Sequence, residues 1–353
     1  MKITLRQTGA VIGRCFIIFG VTLLLLAAGL YFAMFIIVNG PSPTAGSLFV
    51  LSLKETSAGG FLADWYMSEE EIAALQAQRE EEKEGKIDTS LIHISDKDEE
   101  PDDTFHAGTT PSGAEETNPL YDGIEVYDVE GATYNGKMLV VKDPKRVIVG
   151  TPDAYGEGCS GLSLSKMIEK YDAVGGTNAG GFIDPNGTGT GGLPEGIVIA
   201  EGELLWGSTS ASYSLAGLDA DGILHVGKMS GATALSLGLR YAVSYGPALI
   251  INGEPCNSSR SLGGGINPRT AIGQREDGAI LLLVVNGRQI SSLGATLDDL
   301  IEIMLSYGAV NASNLDGGSS SLMKMGGEYL NTSSYIYGGE RVLASSILIR
   351  KGS

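Results

Sequence analysis

The 24 residues from Cys15 to Val38 contain no charged side chain and are dominated by Leu, Ile, Phe, Val and Ala. At a rise of 1.5 Å per residue, a helix of this length spans roughly 36 Å, which exceeds a hydrocarbon core of about 30 Å. The apolar stretch of a cleaved signal peptide is shorter, at about 7–15 residues. The pattern therefore favours an uncleaved membrane anchor over a signal peptide or a buried core helix.

The charges are spread unevenly along the 353 residues. Residues 1–40 carry a net charge of +3, residues 41–120 hold 5 basic and 18 acidic residues, and residues 121–353 carry −8, which together give −18. Basic residues before the apolar run predict a cytoplasmic N-terminus and an extracytoplasmic remainder. Nucleic acid is excluded as a partner, because its binding needs clustered Lys and Arg.

The composition divides the chain into segments of different character. The Gly40-Pro41-Ser42-Pro43 stretch ends the first helix, and Ser68 is a plausible N-cap for a charged helix over 68–85 with too few apolar residues for a buried face. Acidic and small polar residues over 87–120 are typical of a disordered tether. The predicted segments are a cytoplasmic N-terminus (1–14), a transmembrane anchor (15–38), an acidic stalk or linker (39–120) and one folded domain (121–353).

Short apolar runs separated by Gly, Asn, Asp and Pro turns predict strands in the folded domain. Ser163 and Thr296 are expected to cap helices over 163–171 and 296–307. Strands outnumber helices, so we predict an α+β fold with a mixed β-sheet core and flanking helices. The predicted strands are 137–141, 146–149, 173–175, 196–200, 248–251, 279–285, 310–315 and 345–349.

Residues 314–321, Asn-Leu-Asp-Gly-Gly-Ser-Ser-Ser, are the most informative stretch of this domain. Asp316 follows a predicted strand, and Gly317 and Gly318 can adopt backbone angles that turn N–H groups toward a ligand. Such a loop can hold an anion or a sugar beside a carboxylate. The plainer interpretation is a tight surface turn, for which Asp-Gly-Gly is ordinary.

Two other segments carry candidate chemistry. Residues 177–184, Thr-Asn-Ala-Gly-Gly-Phe-Ile-Asp, follow an apolar stretch and precede a glycine-rich run that ends in Pro194-Glu195-Gly196. Residues 267–273, Asn-Pro-Arg-Thr-Ala-Ile-Gly, place Arg269 at the mouth of a strand pair. A guanidinium there suits anion binding, whereas the alternative for Arg269 is a surface ion pair.

Together with Gly339-Glu340-Arg341-Val342, these segments resemble the phosphodiester glycosidase family over roughly residues 136–350. That family includes the lysosomal enzyme that uncovers mannose 6-phosphate by removing N-acetylglucosamine, and bacterial exopolysaccharide-associated proteins. The sequence departs from the usual pattern in having Ala179 and Ile183 in place of Gly and Phe, and Ser319 in place of a third Gly.

The resemblance implies hydrolysis of a sugar-1-phosphodiester of the GlcNAc-1-phosphate type at the anomeric C–O bond. Asp316 is then expected to be the catalytic carboxylate, Arg269 the phosphate clamp, and Asn178 a hydrogen-bond donor to sugar or phosphate. Asp184 and Glu195 are possible second carboxylates. The residues expected to bind substrate or phosphate are Gly180, Gly181, Thr270, Gly317, Gly318, Ser319, Ser320 and Arg341.

Other chemistries fit less well. His225 is the one histidine of the predicted folded domain and is expected to be structural, which disfavours a Ser-His-Asp triad and a histidine-rich zinc site. Asp219 and Asp221 belong to a predicted hairpin turn, and no Glu completes a calcium loop. We therefore expect neither a metal nor a cofactor.

Two alternatives from other classes remain. Ser163 and Lys166 match the S-x-x-K of serine acyl-transfer enzymes, but no Ser-Asp-Asn or Lys-Thr-Gly follows, and helix capping explains Ser163. The domain could also be a non-catalytic carbohydrate-binding or exopolysaccharide-assembly protein. The sequence does not decide whether Cys159 and Cys256 pair.

Overall fold

The computed structural model describes residues 5–40, 43–54, 56, 60–77, 86–94, 121–256, 265–335 and 337–352. The first helix, α1, extends over Leu5–Val38. Its Arg14–Val38 part is long and apolar enough to cross a membrane, and none of its most apolar window is buried. By length and composition, this helix fits either a membrane span or a signal sequence.

A small helical unit follows α1. Helix α2 (Pro43–Lys54) packs against α1 and against a 3-10 helix over Gly60–Trp65. Helix α3 (Glu69–Ala77) comes next. It begins with the predicted cap, because the Ser68 Oγ accepts a hydrogen bond from the Glu71 N–H at 3.2 Å.

The apolar residues of this unit share a small core. Val50, Ala63 and Ile72 are buried together. The sequence analysis expected no buried face on the charged helix, but Ile72 is covered because α2 and the 3-10 helix supply apolar partners. The segment 39–120 therefore contains a folded portion next to α1.

Residues 86–94, assigned from sequence to the linker, lie against the folded domain. The Asp88 N–H donates to Asn252 Oδ1 at 2.8 Å, and the His93 N–H donates to the Glu276 carbonyl at 2.7 Å. Ile92 is buried. Two hairpin turns of the domain thus bind this segment, whereas residues 95–120 lie outside the described residues.

In the described residues, seventeen strands form three sheets. The largest sheet contains, from edge to edge, β1 (Ile124–Glu130), β2 (Asn135–Val141), β13 (Ile280–Val285), β12 (Arg269–Arg275), β14 (Ala309–Leu315), β10 (Ala248–Ile251) and β11 (Glu254–Pro255). The second contains β16 (Glu328–Tyr329), β15 (Met323–Met325), β4 (Ala173–Asn178), β17 (Ser346–Arg350) and β3 (Val147–Gly150). The third contains β6 (Glu203–Trp206), β5 (Val198–Ala200), β9 (Tyr241–Ser244), β7 (Ser212–Leu218) and β8 (Leu224–Ser230).

The predicted α+β class is confirmed, with one correction to the kind of sheet. Every strand pair in the three sheets of the described residues is antiparallel, where the sequence analysis expected a mixed sheet. Antiparallel neighbours can be joined by short turns, whereas parallel neighbours need long crossovers. The many Gly- and Asn-containing turns of this chain fit the antiparallel arrangement.

Three short helices flank the sheets. They are α4 (Leu164–Lys170), α5 (Gly231–Ser236) and α6 (Leu297–Ser306). Ser163 caps α4 and Thr296 caps α6 in a capping box with Asp299, as the sequence predicted. Within the described residues, neither Cys159 nor Cys256 is part of a disulfide.

The largest sheet is buried on both faces, which explains the continuous apolar run of β13. Ile280, Leu282 and Val284 face the main core shared with the other two sheets. Leu281 and Leu283 face a second core that contains the buried side of α6. This packing holds the ends of β12 and β14 in fixed positions, where the candidate site lies.

Candidate active site

The three motifs predicted from sequence meet at one edge of the domain. Strands β12 and β14 are antiparallel neighbours whose last pair is Thr270 with Leu315, so Arg269 and Asp316 lie at adjoining strand ends. Strand β4 of the second sheet ends at Asn178. The Asp316 N–H donates to the Ala179 carbonyl at 2.9 Å, which joins the two sheets at this point.

The side chain of Asn178 connects the ends of β4, β12 and β14 through hydrogen bonds. Its side chain is 1% exposed, its Nδ2 donates to the Asp316 carbonyl, and its Oδ1 accepts from the Thr270 hydroxyl at 2.8 Å. The same Oδ1 also accepts from the Leu322 N–H at 3.2 Å. These bonds give Asn178 a clear positioning role beneath the site. Thr270 takes part in the same network and is fully buried.

We expect Thr270→Val to lower the free energy of unfolding by about 1–2 kcal/mol, because the substitution keeps the shape of the side chain and removes the donor to Asn178. Urea titration of the full chain in detergent measures the change. Thr209→Val, at an exposed position, is the matched control and should change stability little. Equal effects of the two substitutions would contradict this role of Thr270.

Asp316 is the first residue after β14. The residue as a whole is half-buried, and its carboxyl group is surrounded by protein. Burial raises the pKa of the Asp316 carboxyl to about 7, and the negative charge of Asp184 adds to the increase. The Ser320 hydroxyl, the positive charge of Arg341 and the Gly317 N–H act in the opposite direction on this pKa. A carboxyl with a pKa near neutrality can exchange a proton under physiological conditions.

Arg341 is the positively charged partner of this carboxyl group. Its Nη2 lies 2.5 Å from Asp184 Oδ2, and its Nη1 donates to the Ser319 hydroxyl at 2.9 Å. The guanidinium also lies over the Phe182 ring, 4.6 Å from the centroid. We call Asp316, Asp184, Arg341, Ser319 and Ser320 the carboxyl cluster.

The glycines of the Asp-Gly-Gly turn are placed differently from the expectation. The Gly318 N–H donates to the Pro268 carbonyl at 2.9 Å, and the Gly317 N–H lowers the pKa of the Asp316 carboxyl. Gly318 has a φ of +60°, which explains the need for glycine. These two amides therefore shape the loop and stabilise the Asp316 carboxylate.

Gly180 and Gly181 also use their amides within the protein. The Gly180 N–H donates to Ser345 Oγ at 3.0 Å, and the Gly181 N–H donates to the Ser244 carbonyl at 3.2 Å. A Cβ on Gly181 would lie 2.9 Å from the Tyr245 ring. Their absent side chains allow close packing, and their predicted contact with substrate stays a prediction.

A cleft of about 420 Å³ lies next to Gly181, because a Cβ on this residue would contact Tyr245 and Glu195, which line the cleft. Arg269 lines the cleft, and its guanidinium binds main-chain carbonyls. Its Nε donates to the Ala295 carbonyl at 3.2 Å, and its Nη2 donates to the Gly265 carbonyl at 2.8 Å. Besides Arg269, its lining residues are Glu195, Gly196, Ser212, Tyr213, Ser214, Ser244, Tyr245, Gly246 and Asn314. The cleft thus offers aromatic rings, hydroxyl groups and a carboxylate, a combination suited to a sugar.

Gly181 and Phe182 separate the cleft from the carboxyl cluster. A Cβ on Gly181 would lie 3.2 Å from Glu195 Oε2 in the cleft, and the next residue, Phe182, contacts Arg341 in the cluster. The cleft and the carboxyl cluster therefore lie on either side of two consecutive residues. Of the two possible second carboxylates, Asp184 belongs to the cluster and Glu195 to the cleft.

Two residues at this edge were not assigned a role from sequence. Asn314 is 2% exposed, its Nδ2 donates to the Gly246 carbonyl at 2.8 Å, and its Oδ1 lacks a hydrogen-bond partner in the described part of the chain. An unpaired buried acceptor in a cleft is a candidate ligand for a hydroxyl group. Arg288 lies beside Gly318, near enough that a Cβ there would contact its guanidinium at 3.3 Å.

Behind Arg341, its neighbour Glu340 is held by a partly buried polar network. The Glu340 carboxylate accepts hydrogen bonds from Ser165 N–H at 2.8 Å and from Tyr329 Oη at 2.7 Å, and Lys324 Nζ lies 3.2 Å from it. Burial alone would raise its pKa, but the hydrogen bonds from Ser165, Tyr329 and Lys324 outweigh it and lower the pKa of Glu340 to about 2. The backbone that carries Arg341 is thereby fixed.

The comparisons with known proteins agree with this geometry. A family model described as phosphodiester glycosidase matches residues 171–350, which is half of the chain. The SPbeta prophage-derived uncharacterized protein YomE of Bacillus subtilis (strain 168) is 32% identical over 245 residues. That alignment covers 64% of this chain and 36% of the relative, so the chain spans about a third of the relative's length.

The fold is shared with a solved structure. The zebrafish N-acetylglucosamine-1-phosphodiester alpha-N-acetylglucosaminidase catalytic domain, auto-inhibited by its pro-peptide, superposes with a TM-score of 0.54 at 22% identity. The match covers 64% of this chain and 82% of that domain. With the motif-bearing strand ends joined at one edge and the family model spanning them, the chain belongs to the phosphodiester glycosidase family.

Proposed function

We propose that this protein hydrolyses a sugar-1-phosphodiester of the GlcNAc-1-phosphate type. The observation that carries the proposal is the carboxyl cluster, in which the positive charge of Arg341, itself paired with Asp184, acts on the carboxyl of Asp316. The cluster adjoins a cleft with the polar and aromatic lining that a sugar needs.

The proposed reaction breaks the anomeric C–O bond and transfers the sugar to water. The products are a free sugar and a phosphomonoester, and the water proton leaves through the carboxylate or solvent. A phosphate leaving group is a weak base, so the reaction depends little on the general acid that most glycosidases use. It needs a carboxylate to support the oxocarbenium-like centre or activate water, and a cation beside the departing phosphate.

Each requirement has a candidate in this chain. Asp316 supplies the carboxylate, and Arg341 supplies the cation next to it. Asn314 Oδ1 and the cleft wall at Tyr245 are positioned to contact sugar hydroxyls. Arg269 supports the cleft from the side and shapes it through its bonds to main-chain carbonyls.

We further propose that α1 is an uncleaved anchor and that the domain acts outside the cytoplasm on a cell-surface polymer or glycan. The uncharged run of α1 and the basic residues before it support this topology. The acidic surface of the remaining chain is compatible with a carbohydrate substrate and unsuited to nucleic acid.

The test uses the full chain in detergent with GlcNAc-1-phosphodiesters in water enriched in oxygen-18. Cleavage at the anomeric carbon places the label in the released sugar, as the proposal requires. Label in the phosphate would identify a phosphodiesterase and overturn it. Glycan binding without sugar release from a panel of sugar-1-phosphodiesters would instead identify a carbohydrate-binding protein.

We expect kcat/KM to rise with pH through about pH 7, because the Asp316 carboxyl, whose pKa is raised to about 7, must be ionised to act. Asp184→Asn removes a negative charge that raises this pKa, so its profile should move to lower pH. The pH dependence of kcat/KM for both proteins measures the effect. A profile that stays in place or moves to higher pH would contradict the link between the two carboxyls.

A further inference from the structure

The unit that follows α1 folds back along the end of that helix. The Tyr66 ring stacks on the Tyr31 ring of α1 at 5.4 Å between centroids, and its hydroxyl lies 3.6 Å from Met34 Sδ. Tyr31 precedes the end of α1 at Val38 by seven residues. At 1.5 Å per residue, the contact between Tyr66 and Tyr31 lies about 10 Å before the end of α1 along the helix axis. We call α2, the 3-10 helix Gly60–Trp65 and Tyr66 the juxtamembrane unit.

This unit presents two large aromatic side chains on its surface. Phe61 is 58% exposed and Trp65 is 60% exposed, and their rings pack edge to face at 5.9 Å. Asp64, next to Trp65 in the chain, is paired with Lys54 at 2.6 Å, so its charge is balanced. Exposed aromatic residues near the end of a membrane helix are typical of the lipid headgroup layer.

The juxtamembrane unit also contacts the segment that precedes Arg269, which lines the cleft. The Ile266 N–H donates to Ser52 Oγ of α2 at 2.8 Å, and a Cβ on Gly265 would lie 2.6 Å from the Leu48 carbonyl. The Gly265 carbonyl in turn accepts from Arg269 Nη2 at 2.8 Å. Helix α2 therefore packs directly on the segment that holds the arginine of the cleft.

We propose that the juxtamembrane unit docks on the membrane that α1 crosses, with Phe61 and Trp65 in its headgroup layer, and holds the cleft at the lipid surface. The occupant of this aromatic face is lipid, because Tyr66, the next residue after Trp65, packs on the apolar helix α1. Resting on the proposed function, the inference assigns as substrate a sugar-1-phosphodiester attached to the membrane. A membrane-attached substrate would meet the cleft at high local concentration, which a freely diffusing one would not.

Docking is tested without reference to catalysis. The chain has two tryptophans, so Trp206→Phe leaves Trp65 as the sole fluorophore. The full chain is reconstituted into phosphatidylcholine vesicles that carry bromine at chosen acyl-chain depths. We expect Trp65 emission to be quenched most by bromine close to the headgroups. Emission typical of water, with no quenching at any depth, would overturn the proposal. Thermal unfolding of Trp206→Phe checks its fold.

A second measurement tests the consequence for the substrate. In the same vesicles, Phe61→Ser/Trp65→Ser should lower turnover of a lipid-attached sugar-1-phosphodiester by about tenfold and leave turnover of its soluble counterpart unchanged. Leu237→Ser, which alters an exposed apolar residue of the catalytic domain, is the control and should change neither. Equal losses on the two substrates would contradict the assignment of a membrane-attached substrate.

The two proposals fail in different ways. If wild-type protein released sugar from neither substrate, the proposed function would fall, and the quenching of Trp65 would still decide whether the unit docks. If sugar were released but Trp65 remained in water, the proposed docking would be wrong and the proposed glycosidase activity would be supported.

Discussion

Asp316→Asn is expected to lower kcat/KM for a sugar-1-phosphodiester by about 10³-fold or more, and at the same time to stabilise the folded protein at pH 8. The amide has nearly the shape of the carboxyl group but can neither support an oxocarbenium-like centre nor activate water. Sugar release measured at substrate concentrations well below KM gives the loss in kcat/KM directly.

The gain in stability follows from the raised pKa of Asp316. In the unfolded chain this carboxyl ionises near its ordinary pKa of 3.8, whereas in the folded chain burial raises the pKa to about 7. Between those values the folded state holds a proton that the unfolded state has lost, so stability falls as the pH rises. The full cost, present above pH 7, is roughly 4 kcal/mol for a pKa difference of this size.

Asn does not ionise, so the Asp316→Asn protein does not lose stability as the pH rises through 7. Thermal unfolding of the full chain in detergent should therefore show Asp316→Asn above wild type at pH 8 and close to it at pH 4. Asp153→Asn, at a side chain that is 93% exposed, is the matched control. An Asp316→Asn protein that keeps full activity, or that is less stable than wild type at pH 8, would contradict the role given to this residue.

Arg341→Gln is expected to lower kcat/KM by about 10²-fold and to move the rise of the pH profile to higher pH. The guanidinium lowers the pKa of the Asp316 carboxyl, so its removal leaves that carboxyl protonated over a wider range. The loss of positive charge also removes the cation proposed to face the departing phosphate. The shift is opposite in sign to the one expected for Asp184→Asn.

Arg350→Gln provides the matched control for Arg341→Gln. Arg350 carries the same charge and pairs with an acid, Glu201, but its side chain is 47% exposed on the surface. Full pH profiles of kcat/KM for both variants separate a local effect from a change in net charge. An Arg341→Gln profile that coincides with that of Arg350→Gln would remove Arg341 from the proposed mechanism.

Local sequence patterns were sufficient to predict the strand ends that carry the site. An apolar run followed by Asp-Gly-Gly marks the end of β14 at Leu315, and the Thr296 cap with Asp299 marks the start of α6. Both signals depend on residues close together in the chain. Helix α4 and its Ser163 cap were predictable for the same reason.

Other strands lack such signals. Strand β7, over Ser212–Leu218, mixes Ser, Gly and Tyr with apolar residues, and its burial comes from packing against two neighbouring strands. Strand β6 is only four residues long and has two exposed positions. Tertiary contacts decide the structure of these segments, so propensity and periodicity do not identify them.

The partners of the site residues depend on the same long-range contacts. Arg341 is 157 positions from Asp184 along the chain, and no local pattern indicates that they pair. Arg269 was expected to face a phosphate, but its Nη2 binds the Gly265 carbonyl nearby in the chain and its Nε binds the Ala295 carbonyl, 26 positions away. The positioning bonds of Asn178 to Thr270 and Asp316 could not be predicted either.

The network around Glu340 has a consequence for the way the protein responds to acidity. The pKa of Glu340 is lowered to about 2, so its contribution to stability is lost only as the pH falls from the ordinary value of 4.5 toward 2. Between about pH 5 and 8 this carboxylate keeps its charge while Asp316 gains or loses a proton. A change of pH within that range therefore changes the charge of the proposed catalytic carboxylate and leaves the hydrogen bonds that hold the backbone of Arg341 unchanged.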